Sequence, residues 1–142
     1  MSKNKLNIEL SFEFLLIGLI STVKEYKLAW SINKALDIQL VKAEDIHLEF
    51  FKGSDMYISN YLFTTENSLM RLLRNKTISN HQSANTYLLT ELNRFDYFIT
   101  IEGFEDTFTT EELKEKLQAI KDIQYLQFFD PNDLKSKENL IF

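Results

Sequence analysis

The chain has 142 residues with 16 basic and 21 acidic side chains, a formal net charge of −5, 44% hydrophobic residues and no Cys. Absent Cys excludes disulfides, thiolate metal sites and a Cys nucleophile, and the acidic balance lacks the basic footprint that a nucleic-acid partner requires. One domain over 1–142 is expected at this length, with apolar content sufficient for a core that needs no metal or disulfide.

Residues 8–14 alternate, with Ile8, Leu10, Phe12 and Phe14 on one side and Glu9, Ser11 and Glu13 on the other, the period of a half-buried strand. From Leu15 to Leu19 both sides turn apolar, so the strand continues into a sheet covered on both faces. The run Phe14 to Ile20 falls far short of the roughly 20 residues that span a bilayer. Glu9 and Glu13 stand where a signal peptide carries positive charge. A cytosolic location without a membrane partner is the expectation.

Thr22 and Glu25 have capping-box spacing ahead of a helix from Tyr26 to Leu36. Leu28, Ala29, Ile32, Ala35 and Leu36 share its inner face. Tyr26, Trp30 and Asn33 fall on another side, which makes them a candidate partner surface, since displaced aromatics are enriched at interfaces. Cover by the polar loop or the tail is the competing account.

Ile46–Phe50 and Met56–Phe63 read as two strands joined by a turn at Lys52–Asp55. Leu69–Arg74 follows as a further strand, with the nearby cations Arg71, Arg74 and Lys76 read as a solvated edge. Residues 75–86 are almost wholly polar and are expected to form a mobile or functional loop. Phe95–Ile101 is a β-rich run that places Phe95, Tyr97, Ile99 and Ile101 on one face. Thr109 and Glu112 then form a capping box, Phe108 and Leu113 a hydrophobic staple, and Leu113, Leu117 and Ile120 the buried stripe of a second helix. Ile123–Phe129 is the closing strand, ended by Pro131, and the tail 132–142 is expected to be mobile.

The order is therefore β-α-β-β-β-β-α-β. It describes an α+β domain with a mixed or largely antiparallel sheet and two helices packed on it, of which a ferredoxin-like core with extra strands is one form.

The segment Leu89-Thr-Glu-Leu-Asn-Arg-Phe-Asp-Tyr97 resembles the signature of the IPExxxVDY family, small bacterial proteins of unknown function. Glu91, Asp96 and Tyr97 match that pattern, Leu89 and Phe95 are apolar replacements, and Thr90 departs from its proline. The length, the early Phe-rich strand and the helix beginning at Tyr26 are also similar, so the resemblance extends over most of the chain. It implies no particular activity. A proline would hold the preceding residue extended; Thr90 must obtain that geometry from packing, or this chain turns differently.

Two carboxylates near a phenol could bind a cation or perform acid–base work, which makes a small ligand- or metal-binding enzyme using Glu91 and Asp96 the alternative reading. The structural account is that Leu89, Glu91, Phe95, Asp96 and Tyr97 shape the entry into a strand, with Asp96 accepting from the preceding turn. His47 and His81 lack partners at metal-ligand spacing, and Gly18, Gly53 and Gly103 form no phosphate loop. No nucleophile elbow surrounds any serine. Neither a metal nor a cofactor is implied. The leading expectation is a non-enzymatic domain that acts through contact with another protein or, as a homodimer, with itself.

Overall fold

The computed structural model describes residues 13–48, 55–78, 87–103 and 108–142. Among these lie β1 (Leu15–Ile20), α1 (Glu25–Leu36), β2 (Val41–Lys42), β3 (Ile46–Leu48), β4 (Met56–Ile58), β5 (Asn60–Thr64) and β6 (Leu69–Arg74). They are followed by β7 (Tyr97–Glu102), α2 (Thr110–Gln118) and β8 (Tyr125–Phe129). Among the described residues, short 3-10 turns cover Thr90–Leu92, Pro131–Asp133 and Lys137–Leu140.

The main sheet runs β2-β5-β6-β7-β1-β8, and every pairing in it is antiparallel. Because β1 and β6 both oppose β7, they run parallel to each other; β7 and β8 are likewise parallel, with β1 between them. The four strands β8-β1-β7-β6, with α1 following β1 and α2 linking β7 to β8, have the order and directions of a ferredoxin-like core. Strands β5 and β2 extend its far edge, while β3 and β4 pair as a separate two-stranded sheet. The fold is α+β, as the sequence indicated.

Each face of the sheet carries its own core, because successive side chains of a strand point to opposite faces. Ile17, Leu72 and Ile99 are in register across β1, β6 and β7 on one face. There they meet Leu28 and Ile32 of α1 and Leu113 and Leu117 of α2, so both helices lie on the same side. On the other face Leu16, Leu73 and Phe98 are covered by Met56 and Ile58 of β4, by Leu88, Leu89 and Phe95, and by Leu140. This double cover explains why β1 is apolar on both sides. The Thr109–Glu112 capping box forms as expected: Glu112 N–H donates to Thr109 Oγ1 at 3.1 Å, and Thr109 N–H donates to Glu112 Oε1 at 3.1 Å.

Several expectations are corrected. The Thr22–Glu25 box does not form; Lys24 is the N-cap with no side-chain cap bond. Residues 21–23 are held to the end of the sheet instead, and Glu25 accepts a 2.6 Å hydrogen bond from Ser59 Oγ. The stretch Met56–Phe63 is two strands in two sheets, broken at buried Ser59, whose backbone oxygen accepts from Arg74 N–H. Strand β2 had no sequence signal, being two residues long. Positions 49, 50, 52–54 and 79–86, which include His81, lie outside the described residues. So do positions 8–12, the start of the first expected strand. The tail is folded: Leu140 is buried in the second core, and Asn139 Nδ2 donates to Leu88 O at 2.8 Å.

Gly18 faces the second core directly beneath the ring of Phe95. A Cβ at Gly18 would stand 2.8 Å from Phe95 Cδ1 and 2.9 Å from Phe129 Cε2, closer than carbon atoms tolerate. Phe95 is 1% exposed and meets Phe129 edge to face with centroids 5.3 Å apart, so its ring has little space to retreat. Gly18→Ala should therefore lower unfolding stability by about 1–3 kcal/mol through overpacking, measured by urea denaturation; a neutral result would show that the two rings shift freely.

Candidate functional site

The segment resembling the family signature is built around Asn75, which is 0% exposed. Its N–H donates to Asp96 O at 2.9 Å and its carbonyl accepts from Leu88 N–H at 2.7 Å. Its side-chain amide donates to Leu92 O and Phe95 O, at 3.0 and 2.9 Å, and accepts from Leu89 N–H at 2.9 Å. Residue 75 therefore opens no solvated loop; it shapes the path from Leu88 to Asp96. Leu89 is extended (φ −117°, ψ 96°) immediately before the 3-10 turn that starts at Thr90. Packing thus supplies the geometry that a proline at position 90 would impose.

Each of the three matching residues makes a long-range bond. Glu91 accepts from Ser136 N–H at 3.0 Å and from Ser136 Oγ at 2.5 Å, fastening the C-terminal segment. Burial pushes its carboxyl up, but those hydrogen bonds outweigh it and leave the group below its usual value. Asp96 Oδ2 accepts from Ser21 N–H at 2.9 Å, and Asp96 N–H donates to Leu19 O. Its partner is thus the end of β1 rather than the preceding turn. Tyr97 OH donates to Val23 O at 2.7 Å, tying β7 to the entrance of α1. Phe95 is not on the face of Tyr97: it joins the second core while Tyr97, Ile99 and Ile101 join the first, because the chain reaches strand geometry only at Tyr97.

At the end of the sheet where β1 and β6 finish and β7 begins, a cleft of about 670 Å³ opens beside the start of α1. Lys24, Glu25, Arg74, Lys76, Tyr87 and Asp96 are among its lining residues, with Tyr26, Phe95 and Tyr97. Glu91 is not, so Glu91 and Asp96 do not share a site. Sequence reasoning noticed Arg74 and Lys76 but grouped them with Arg71. The structure separates them: Arg71 lies over the Phe142 ring at 5.2 Å, whereas buried Asn75 leaves its neighbours Arg74 and Lys76 together at the cleft.

On α1, Tyr26 and Trp30 are 66% and 60% exposed. They stand one turn apart, and Lys34 Nζ lies 4.8 Å from the Trp30 ring centroid. Asn33 does not belong with them: its side chain accepts from Leu40 N–H at 2.8 Å and donates to Leu40 O at 3.2 Å, closing the chain reversal after α1. His47 is stacked on Tyr57, with centroids 4.5 Å apart, and its Nε2 lies 3.1 Å from Asp55 Oδ2. Among the described residues no group of three or more His, Cys, Asp or Glu is placed to hold a metal, and no helix is long and apolar enough to cross a membrane. No protein-family model matches the chain, and no curated protein matches it.

Asn75→Ala leaves the Leu89 N–H and the Phe95 carbonyl without a partner, while Leu92 O keeps its bond from Phe95 N–H. At about 1–3 kcal/mol for each buried orphan, the variant should lose at least about 2 kcal/mol in urea denaturation; a loss below about 1 kcal/mol would contradict its structural role. Burial first, and then the nearby Glu25 carboxylate, push the Tyr97 phenol from 10.0 up to about 12. The folded state thus favours the neutral phenol, a stabilisation complete below pH 10 and lost as pH rises through about 12. Tyr97→Phe should cost about 1 kcal/mol at neutral pH, and its difference from wild type should shrink between pH 10 and 12; a pH-independent difference would refute the assignment.

Proposed function

We propose that this protein is a non-enzymatic, cytoplasmic interaction domain that docks a partner protein on the outer face of α1. The observation that carries the reading is the exposure of Tyr26 and Trp30 one helical turn apart, because large aromatics are seldom left in water and dominate interface energetics where they are. The surface is also locally basic. Lys27 and Lys34 are exposed beside the aromatics, while the one carboxylate of α1, Glu25, is engaged by Ser59. In a chain of net charge −5, that face suits a partner with an apolar socket rimmed by carboxylates. Membership of the IPExxxVDY family is part of the proposal, supported by the structural tasks of Glu91, Asp96 and Tyr97. The rival carboxylate site draws no such support, since Glu91 and Asp96 serve different donors.

A photoreactive residue at exposed Lys27, beside the two aromatics, compared with one at exposed Glu66, should capture the partner selectively from the native cell. Rebound in purified form, that partner should lose affinity for Trp30→Ala by at least about thirtyfold, the size of an interface hot spot. Added salt should weaken binding, and the variant's stability should stay within about 0.5 kcal/mol of wild type. A monomer–dimer equilibrium abolished by Trp30→Ala would make a second copy the partner. Equal capture at both positions, or unchanged affinity of Trp30→Ala, would defeat the proposal.

A further inference from the structure

We propose that the cleft beside the start of α1 binds a small organic oxyanion, a phosphate- or carboxylate-bearing molecule with a planar ring, and that Arg74 and Lys76 hold its charge. The volume of about 670 Å³ lies within the range of small-molecule sites, roughly 300–1,000 Å³. What selects the ligand is the balance of the lining charges.

Each lining carboxylate accepts from a neutral donor, Asp96 from Ser21 N–H and Glu25 from Ser59 Oγ. The cations Arg74 and Lys76 make no ion pair among the described residues. With Lys24 the lining carries three cations against two carboxylates, a positive surplus that favours an anion. An Arg fork matches the paired oxygens of a carboxylate or phosphate, and Lys adds a point charge beside it. Among the other lining residues Tyr26 and Tyr87 present accessible rings, with Tyr97 and Phe95 behind them, which favours a flat, partly apolar body over a bare inorganic ion. Register puts the two cations in place: Arg74 pairs with Tyr97 at the edge of β7, and Lys76 bridges to Tyr87. Buried Asn75 between them is anchored in the opposite direction.

The test is a titration of the full chain, followed by amide NMR, with phenyl phosphate, phenylacetate, inorganic phosphate and benzylamine. At least one ring-bearing anion should give saturable shifts confined to Ser21–Tyr26, Arg74–Lys76, Tyr87, Asp96 and Tyr97 and bind more tightly than inorganic phosphate, and benzylamine should have no effect. The stronger of phenyl phosphate and phenylacetate identifies the ligand's charged group. Arg74→Met and Lys76→Met, both exposed positions, should keep the wild-type melting temperature and each weaken binding by at least about tenfold, the loss expected for a charge-assisted hydrogen bond. No saturation by either ring-bearing anion, equal binding of benzylamine, or wild-type affinity in both variants would overturn the proposal. Trp30→Ala should leave these titrations unchanged, and Lys76→Met should leave partner docking unchanged, so the two readings fail separately.

Discussion

Five backbone groups between Leu88 and Asp96 converge on one residue, Asn75, which water does not reach. An amide side chain presents donors and an acceptor at a fixed separation. When it is buried, the surrounding chain must adopt the path that satisfies it, because an unmet backbone group in the interior is costly. That demand sets where the segment turns, which in turn sets where Phe95 and Tyr97 enter the two cores.

The arrangement of the cleft follows from the same knot. Asp96 and Tyr97 leave it pointing at Ser21 and Val23, so the end of β1 and the lead into α1 are fastened to the start of β7. With Ser21 and Val23 held this way, the helix begins at Glu25. The space beside that start is the cleft. Glu91 works in the opposite direction, holding Ser136 and with it the C-terminal turns over the second core. The three residues that match the family signature thus serve three separate attachments, which accounts for their presence without a shared chemistry.

Local patterns in the sequence were sufficient for much of this fold. The start of the second helix was legible because its capping box and staple depend on neighbours within five residues, although the helix ends at Gln118, before Ile120 of the expected stripe. Each of the six expected strand runs carries a strand, Met56–Phe63 carrying two, because alternating or continuous apolar residues follow directly from which faces are covered. What escaped was whatever depended on distant partners. Asn75 reads as a loop residue, since polarity in sequence does not reveal five remote backbone groups. Asn33 shares a helical side with Trp30, yet its amide is claimed by Leu40. Ser59 is invisible as a strand break because the apolar alternation continues across it. The tail looks soluble by composition, but Leu140 and the bonds of Ser136 and Asn139 hold it down. Of the candidate sites, the exposure of Tyr26 and Trp30 was legible from helical offset, while the cleft was not, because its walls come from four stretches that meet only on folding.

The contact of Phe95 with Gly18 ties together two positions far apart in the chain. The room above the backbone at position 18 is already filled by aromatic carbon, so these sites share one fixed volume. Among descendants of this sequence, a side chain could appear at 18 only after the ring at 95 or 129 had contracted, and a smaller residue at 95 would leave a gap that alanine at 18 could help to fill. Drift at either site should therefore be correlated and directional, making the pair a trace by which divergent copies of this domain could be recognised after the rest of their sequences had ceased to align.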